Sequence, residues 1–153
     1  ETCAAIKNIF SMVIGASQGL CHSSASEITK EKNYLNTAAA LMQESIYEMI
    51  IFTEKLKGKK ETVLGLAGIG DLYVSADGGR NSKMGAYLGQ GITFKEAKKI
   101  KMPNDTVEGA DLALEIGTKL KSDFDNKTLP LMISVINTIC DEMPLKFDWK
   151  NFK

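Results

Sequence analysis

Apolar residues recur along most of the chain at the three- and four-residue spacing of helices. In residues 2–17, Ala5, Ile6, Ile9, Phe10, Val13 and Ile14 follow that spacing and predict a buried helix. Lys7-Asn8 interrupts the pattern. A cation beside so much apolar surface either snorkels to water or is held for a purpose. Residues 36–57 predict the strongest helix. Leu41, Ser45, Glu48 and Phe52 share one side, with Met42, Ile46, Met49 and Ile50 nearby. That apolar surface is broad, so the helix is expected to be central, with Gly58 as its stop.

Shorter patterns come next. Residues 61–67 predict a short helix, and residues 82–88 another, stopped by Gly89 and Gly91. Thr93-Phe94-Lys95-Glu96 has capping-box spacing and starts a helix that runs to about residue 101, ended by Pro103. Its lysines read as a solvated face, since no aromatic residues interleave with them. Residues 106–121 supply Ala110, Leu112, Ala113, Leu114, Ile116 and Leu120 as an apolar face. Pro130 suits the first turn of the last long helix, whose apolar run reaches Met143 before Pro144 breaks it. A tail with Phe147, Trp149 and Phe152 closes the chain. Residues 19–32 are small, polar and charged, and predict a loop with a mobile tip and room for one short helical turn. No run of alternating positions predicts strands, so the expected fold class is all-α, a single domain of roughly six to eight helices.

Between the helical patterns lies Gly65-Leu66-Ala67-Gly68-Ile69-Gly70-Asp71-Leu72, continuing to Gly78-Gly79-Arg80-Asn81. Glycines near polar groups mark tight turns or close backbone approaches. Asn81 can cap the helix that follows it, and a helix N-terminus carries free N–H groups and partial positive charge. Arg80 adds a forked, permanently charged donor. The stretch therefore reads either as an anion site or as a glycine-rich connection with a capping Asn and a solvated Arg.

Composition narrows the function. Over 153 residues, Lys+Arg and Asp+Glu balance at 19 each, which gives no electrostatic pull toward nucleic acid or an anionic membrane. Cys3, Cys21 and Cys140 are odd in number and widely spaced, which argues against a disulfide framework or a zinc site and fits a cytoplasmic protein. His22 is the only histidine, so neither a His-based metal cluster nor a Ser-His-Asp triad is supported, and no metal is expected. No segment has the ~18 continuous apolar residues of a transmembrane helix. The chain begins without Met inside an apolar helical pattern, so we expect a segment of a longer protein.

Three segments taken in order carry a resemblance: Glu1-Thr2-Cys3-Ala4-Ala5-Ile6-Lys7-Asn8, then Gly65 to Leu72 with Gly79-Arg80-Asn81, then Val107-Glu108-Gly109. Together they resemble the C-terminal, substrate-binding half of NAD(P)-dependent glycerol-3-phosphate dehydrogenases, over about residues 1–143. The resemblance implies a multi-helix domain similar to the C-terminal domain of 6-phosphogluconate dehydrogenase. It implies reversible hydride transfer between sn-glycerol 3-phosphate and NAD or NADP, giving dihydroxyacetone phosphate, as part of phospholipid biosynthesis. The cofactor would be bound mainly by an N-terminal domain that this chain lacks, and a homodimer is expected.

The resemblance also assigns roles. Lys7 would be the general base on the alcohol, and Asp71 would sit beside it to bind or orient substrate. Ser75 falls where the family often has Thr. Gly79, Arg80 and Asn81 would bind the substrate phosphate. Arg80, Thr106 and Glu108 would reach the cofactor. Residues 21–33 form a longer, less glycine-rich connection than is usual in the family, and Gln43-Glu44 stands where many bacterial members have Thr-Arg. Two other readings remain: the helical domain of a dehydrogenase for another 2-hydroxy compound, and a standalone helical interaction module that uses its apolar first helix and aromatic tail as contacts.

Overall fold

The computed structural model describes residues 1–24 and 34–153. Helix α1 spans Thr2–Ser24, α2 Tyr34–Lys55, α3 Lys60–Leu64 and α4 Asp71–Ala76. They are followed by α5 Arg80–Gly89, α6 Phe94–Glu96, α7 Glu108–Asp123 and α8 Pro130–Cys140. Single π-type turns at Leu66–Gly70 and Ala97–Lys101 lead into α4 and extend α6. A 3-10 turn, Trp149–Asn151, lies in the tail. Among the described residues there is no strand, and the fold is all-α.

The central helix is α1, not α2 as its broad apolar surface suggested. It packs against α2, α4, α5, α7 and α8. Ile6, Ile9, Phe10, Met12, Val13, Ile14 and Ala16 are all buried, so α1 is apolar nearly all round, as a helix enclosed by neighbours must be. Helix α2 buries one face, made of Leu41, Glu44, Ser45, Glu48, Met49 and Thr53. Helix α1 also continues past the expected end at residue 17, through residues assigned to a loop; the rest of that expected loop, from residue 25 to 32, lies outside the described residues.

Glycine explains the extension. A Cβ on Gly15 would fall 2.1 Å from the Ser82 carbonyl oxygen, and one on Gly19 would fall 2.0 Å from that of Ala86. From the other side, a Cβ on Gly85 would meet the Met12 carbonyl oxygen at 1.9 Å, and one on Gly89 that of Ala16 at 2.3 Å. Helices α1 and α5 therefore cross backbone to backbone, through glycines four residues apart on each. Gly19, expected to open a loop, packs inside α1. Helix α5 does stop at Gly89, which packs on Ala16 as its last residue and is followed by the left-handed Gly91, φ 87°.

The helix ends are specified locally. Thr93 and Glu96 form the expected capping box at α6, and Pro130 opens α8. The stop of α2 differs from expectation in one residue. The left-handed position is Lys57, with φ 62°. Its N–H donates to the Glu54 carbonyl at 2.9 Å and that of Gly58 to Thr53 at 2.8 Å, the Schellman pattern. Helix α8 ends before Met143, three residues after Cys140 (Asp141, Glu142 and Met143 lie outside it) and ahead of Pro144.

Two buried acids on α2 organise the far end of the bundle. Glu48 accepts hydrogen bonds from the Leu131 and Met132 N–H groups at 2.5 and 2.8 Å, satisfying the first turn of α8. Glu44 accepts from the Lys153 N–H at 2.8 Å, while Gln43 donates to the Lys153 carbonyl at 2.9 Å. Gln43-Glu44 thus anchors the C-terminal tail. Phe147 and Phe152 pack on the core, flanking Trp149, so much of the aromatic tail is already engaged within the domain.

Candidate active-site cleft

Four segments bring polar side chains to one open cleft. Helix α1 supplies Lys7 and Asn8, α4 supplies Ser75, the start of α5 supplies Gly79, Arg80 and Asn81, and the start of α7 supplies Glu108. Asp71, the first residue of α4, reaches Lys7 from beside the cleft.

Local structure aims each of them. The glycine-rich stretch is helical rather than a loop. In the π-type turn the Gly70 N–H donates to the Gly65 carbonyl at 3.4 Å, and the chain continues directly into α4. Such single wide turns insert one extra residue and re-aim the helix beyond them. Gly68 allows it, since a Cβ there would fall 2.0 Å from the Val63 carbonyl oxygen of α3. The Ser82 hydroxyl donates to the Ala76 carbonyl at 2.8 Å and ties the end of α4 to the start of α5.

Asn81 does not cap α5. The N-cap is Gly79, with extended backbone and no side-chain cap, and Asn81 lies inside the first turn. Its amide faces across the bundle instead. Its Oδ1 accepts from the Gly109 N–H at 2.9 Å. Its Nδ2 donates to Asn8 Oδ1 at 3.2 Å and to Glu108 Oε2 at 3.4 Å. Asn81 is buried and joins α1, α5 and α7. Gly109 permits this junction, because a Cβ there would fall 2.5 Å from the Asn8 carbonyl oxygen.

Two ion pairs sit in this frame. Lys7 Nζ lies 2.5 Å from Asp71 Oδ2, and the Lys7 side chain is only 17% exposed. Lys7 is therefore held by a partner rather than simply snorkelling. The Arg80 guanidinium lies 2.5 Å from Glu108 Oε1, with both side chains about half exposed. Glu108 thus uses one oxygen on Arg80 and the other on Asn81. With the unpaired N–H groups at the start of α5, the cleft offers an anion grip next to a lysine-carboxylate pair.

The structure brings together Lys7, Asp71, Ser75, Gly79, Arg80, Asn81 and Glu108. Thr106 is exposed and is not among the residues lining the cleft. Asn8 lines it too; the sequence marked it only as the second half of the polar Lys7-Asn8 pair within an apolar helix and gave it no role of its own. Among the described residues no three His, Cys, Asp or Glu side chains gather as a metal site.

A family model described as the C-terminus of NAD-dependent glycerol-3-phosphate dehydrogenase matches residues 1–147. The NAD(P)+ glycerol-3-phosphate dehydrogenase of Agathobacter rectalis is 31% identical over 149 residues, covering 95% of this chain and 40% of that protein. The NADP(+)-dependent glycerol-3-phosphate dehydrogenase of Archaeoglobus fulgidus is 33% identical over 128 residues, covering 80% and 36%. The crystal structure of glycerol-3-phosphate dehydrogenase from Coxiella burnetii superposes with a TM-score of 0.73 at 28% identity, covering 94% of this chain and 40% of that one. The chain spans about 40% of the length of such curated relatives.

Proposed function

The chain belongs to the C-terminal family of NAD-dependent glycerol-3-phosphate dehydrogenases, and from that premise we propose that it is the substrate-binding and catalytic part of an enzyme interconverting sn-glycerol 3-phosphate and dihydroxyacetone phosphate. The observation that carries the reading is one cleft holding both a lysine paired to a carboxylate and an arginine at a helix N-terminus. The first is proton-transfer equipment and the second a phosphate grip.

In this reading the Arg80 guanidinium and the free N–H groups of the first turn of α5 take the phosphate, and Gly79 lets it approach the backbone closely. The carbinol then lies toward Lys7. Lys7 Nζ accepts the hydroxyl proton during oxidation and returns it to the ketone oxygen in the reverse direction. Asp71 fixes the position of Nζ and balances its charge. Ser75, half-buried one helical turn beyond Asp71, offers a hydroxyl to the substrate. The nicotinamide of NAD or NADP, when bound, takes and returns the hydride. The donor set fits its nucleotide: the Glu108 carboxylate can accept from hydroxyl or amide groups, and Arg80 can pair with phosphate. Thr106, two residues before Glu108, would reach the same nucleotide.

Most of the cofactor's contacts would come from the part of the enzyme outside this chain. A homodimer and a cytoplasmic location, with a role in phospholipid biosynthesis, belong to the same proposal. Among the described residues no helix is long and apolar enough to cross a membrane. Arg80 at a helix N-terminus favours a phosphorylated substrate over an unphosphorylated 2-hydroxy compound.

The test is turnover. Full-length enzyme is expected to oxidise glycerol 3-phosphate with NAD or NADP, and residues 1–153 alone to show none, because nothing holds the hydride acceptor near Lys7. Turnover by residues 1–153 alone, or none by the full-length protein, would overturn this assignment.

A further inference from the structure

Lys95, Lys98, Lys99 and Lys101 lie on α6 and the wide turn that extends it. Their pattern in the sequence predicts a solvated face, and Lys95, Lys99 and Lys101 are exposed. Lys98 departs from that pattern. It is half-buried, and its ammonium donates to the Met102 carbonyl at 3.2 Å and to the Asp105 carbonyl. The first bond has a local reason, since the last carbonyls of a helical segment lack N–H partners and a lysine can satisfy them. The second reaches past the end of that segment, seven residues along the chain.

Lys98 thereby clamps the short connection into α7. Met102 and Val107 are buried and fix its two ends, while Pro103, Asn104 and Thr106 between them are exposed. The Asp105 N–H donates to the Met102 carbonyl at 3.3 Å, so that oxygen serves both the turn and the lysine. The Asp105 carbonyl belongs to the peptide plane that leads into Thr106, and holding it orients that plane. Val107 is the N-cap of α7 and offers no side chain to cap it. The entry into α7 is therefore held from outside. Asn81 takes the Gly109 N–H after the entry, and Lys98 takes the Asp105 carbonyl before it. Thr106 and Glu108 lie between these two fixed points.

We infer that Lys98 is a positioning residue for the nucleotide: by holding the Met102 and Asp105 carbonyls it sets where the Thr106 hydroxyl and the Glu108 carboxylate stand. The inference rests on the function proposed above, in which those two groups reach the cofactor. Lys98 itself is not among the residues lining the cleft and acts only through the connection. An ammonium suits the task, because its three donors lie on one atom and serve two carbonyls that reach it from different residues. The proton-transfer pair is independent of the clamp, since Lys7 lies on α1 and Asp71 on α4. Loss of the clamp therefore falls on nucleotide binding rather than on the chemical step.

The experiment compares Lys98→Met and Lys98→Arg in the full-length enzyme. The first keeps the apolar stem and removes the donors; the second keeps a cation able to donate to two carbonyls. The Kd for NAD and NADP is measured by titration calorimetry, and kcat for glycerol 3-phosphate at saturating nucleotide. Lys98→Met is expected to raise the nucleotide Kd by about tenfold, the scale of one charge-assisted hydrogen bond, and to leave kcat close to wild type. Lys98→Arg is expected to restore most of the affinity. In a Thr106→Val/Glu108→Gln background, Lys98→Met should add nothing, because the groups it positions are gone. An unchanged Kd, a kcat that falls in step with affinity, no rescue by arginine, or a full additional loss in that background each overturns the inference. A Lys98→Met enzyme that fails to fold makes the lysine structural and overturns it too. The Kd needs no turnover, so the two readings separate. Weakened nucleotide binding in Lys98→Met, with a wild-type enzyme inactive on glycerol 3-phosphate, keeps the clamp and rejects the function. An active wild type whose Kd is insensitive to Lys98→Met keeps the function and rejects the clamp.

Discussion

The Lys7 ammonium lies 2.5 Å from the Asp71 carboxylate, although one belongs to the central helix and the other to a short helix entered through a π-type turn. The pair forms because Gly68 lets that turn lie on the backbone of α3, which directs α4 at α1. Lys7→Met keeps length and apolar bulk while removing proton acceptor and charge. In the full-length enzyme it is expected to lower kcat by on the order of 10²–10⁴, with nucleotide affinity little changed. Near-normal kcat in a folded, cofactor-binding Lys7→Met enzyme would remove Lys7 from the mechanism.

Arg80 and Glu108 make opposing predictions. Arg80→Lys replaces a planar fork with a point charge, so use of glycerol 3-phosphate should weaken by about 1.5–3 kcal/mol, the worth of one charge-assisted contact. A substrate analogue without phosphate should lose much less, and equal losses would mean that Arg80 is structural or serves only the cofactor. Glu108 occupies the guanidinium that the phosphate needs. Both side chains are about half exposed, so their pairing is worth at most about 1 kcal/mol. Glu108→Gln should therefore strengthen inhibition by inorganic phosphate by no more than about fivefold, and should raise KM for the nucleotide. Unchanged phosphate inhibition would show that Glu108 and phosphate do not compete.

The crossing of α1 and α5 can be tested by volume. Gly85→Ala places a methyl group where the Met12 carbonyl oxygen stands at 1.9 Å. The helices must part, and a loss of about 1–3 kcal/mol is expected, read as a lower melting temperature. Because Lys7-Asn8 and Arg80-Asn81 are brought together by this crossing, substrate KM should rise as well. An unchanged melting temperature would mean that the helices can separate at no cost.

That crossing marks the boundary of what was legible in the chain. Helical periodicity, the capping box at Thr93 and Pro130 at the start of α8 are local signals, and the structure follows them. The clustering of Lys7, Asp71, Arg80 and Glu108 was expected from motif resemblance rather than from periodicity. Gly19 read as a loop residue because a glycine's local signal is the same whether it leaves a helix or packs one; the neighbouring backbone decides. Asn81 read as a cap for the same reason, since its partners on α1 and α7 are distant in sequence. The centrality of α1 was obscured because both long helices are apolar, and only tertiary contacts separate an enclosed helix from one with a single buried face.

Glu48 offers a prediction away from the cleft. It is fully buried on α2 and its two oxygens accept from the Leu131 and Met132 N–H groups. Burial pushes its carboxyl up from 4.5 to about 8; the two hydrogen bonds oppose the shift, the nearby Glu44 charge adds to it, and Lys153 opposes it. The folded chain therefore keeps this proton across a pH range in which the unfolded chain has lost it. Stability from this group is fully present below pH 4.5 and is lost as pH rises toward about 8. Glu48→Gln removes the titration while keeping shape and one acceptor, at the cost of an amide that faces a backbone N–H. The difference in unfolding free energy, wild type minus variant, is expected to fall steadily between pH 5 and about 8 and to level off above it. Taking the difference cancels other titrating groups, including Asp125, whose carboxyl is held low by its hydrogen bonds with Thr128. Parallel pH profiles for the two proteins would mean that Glu48 is ionised throughout, with the first turn of α8 outweighing the cost of burying its charge.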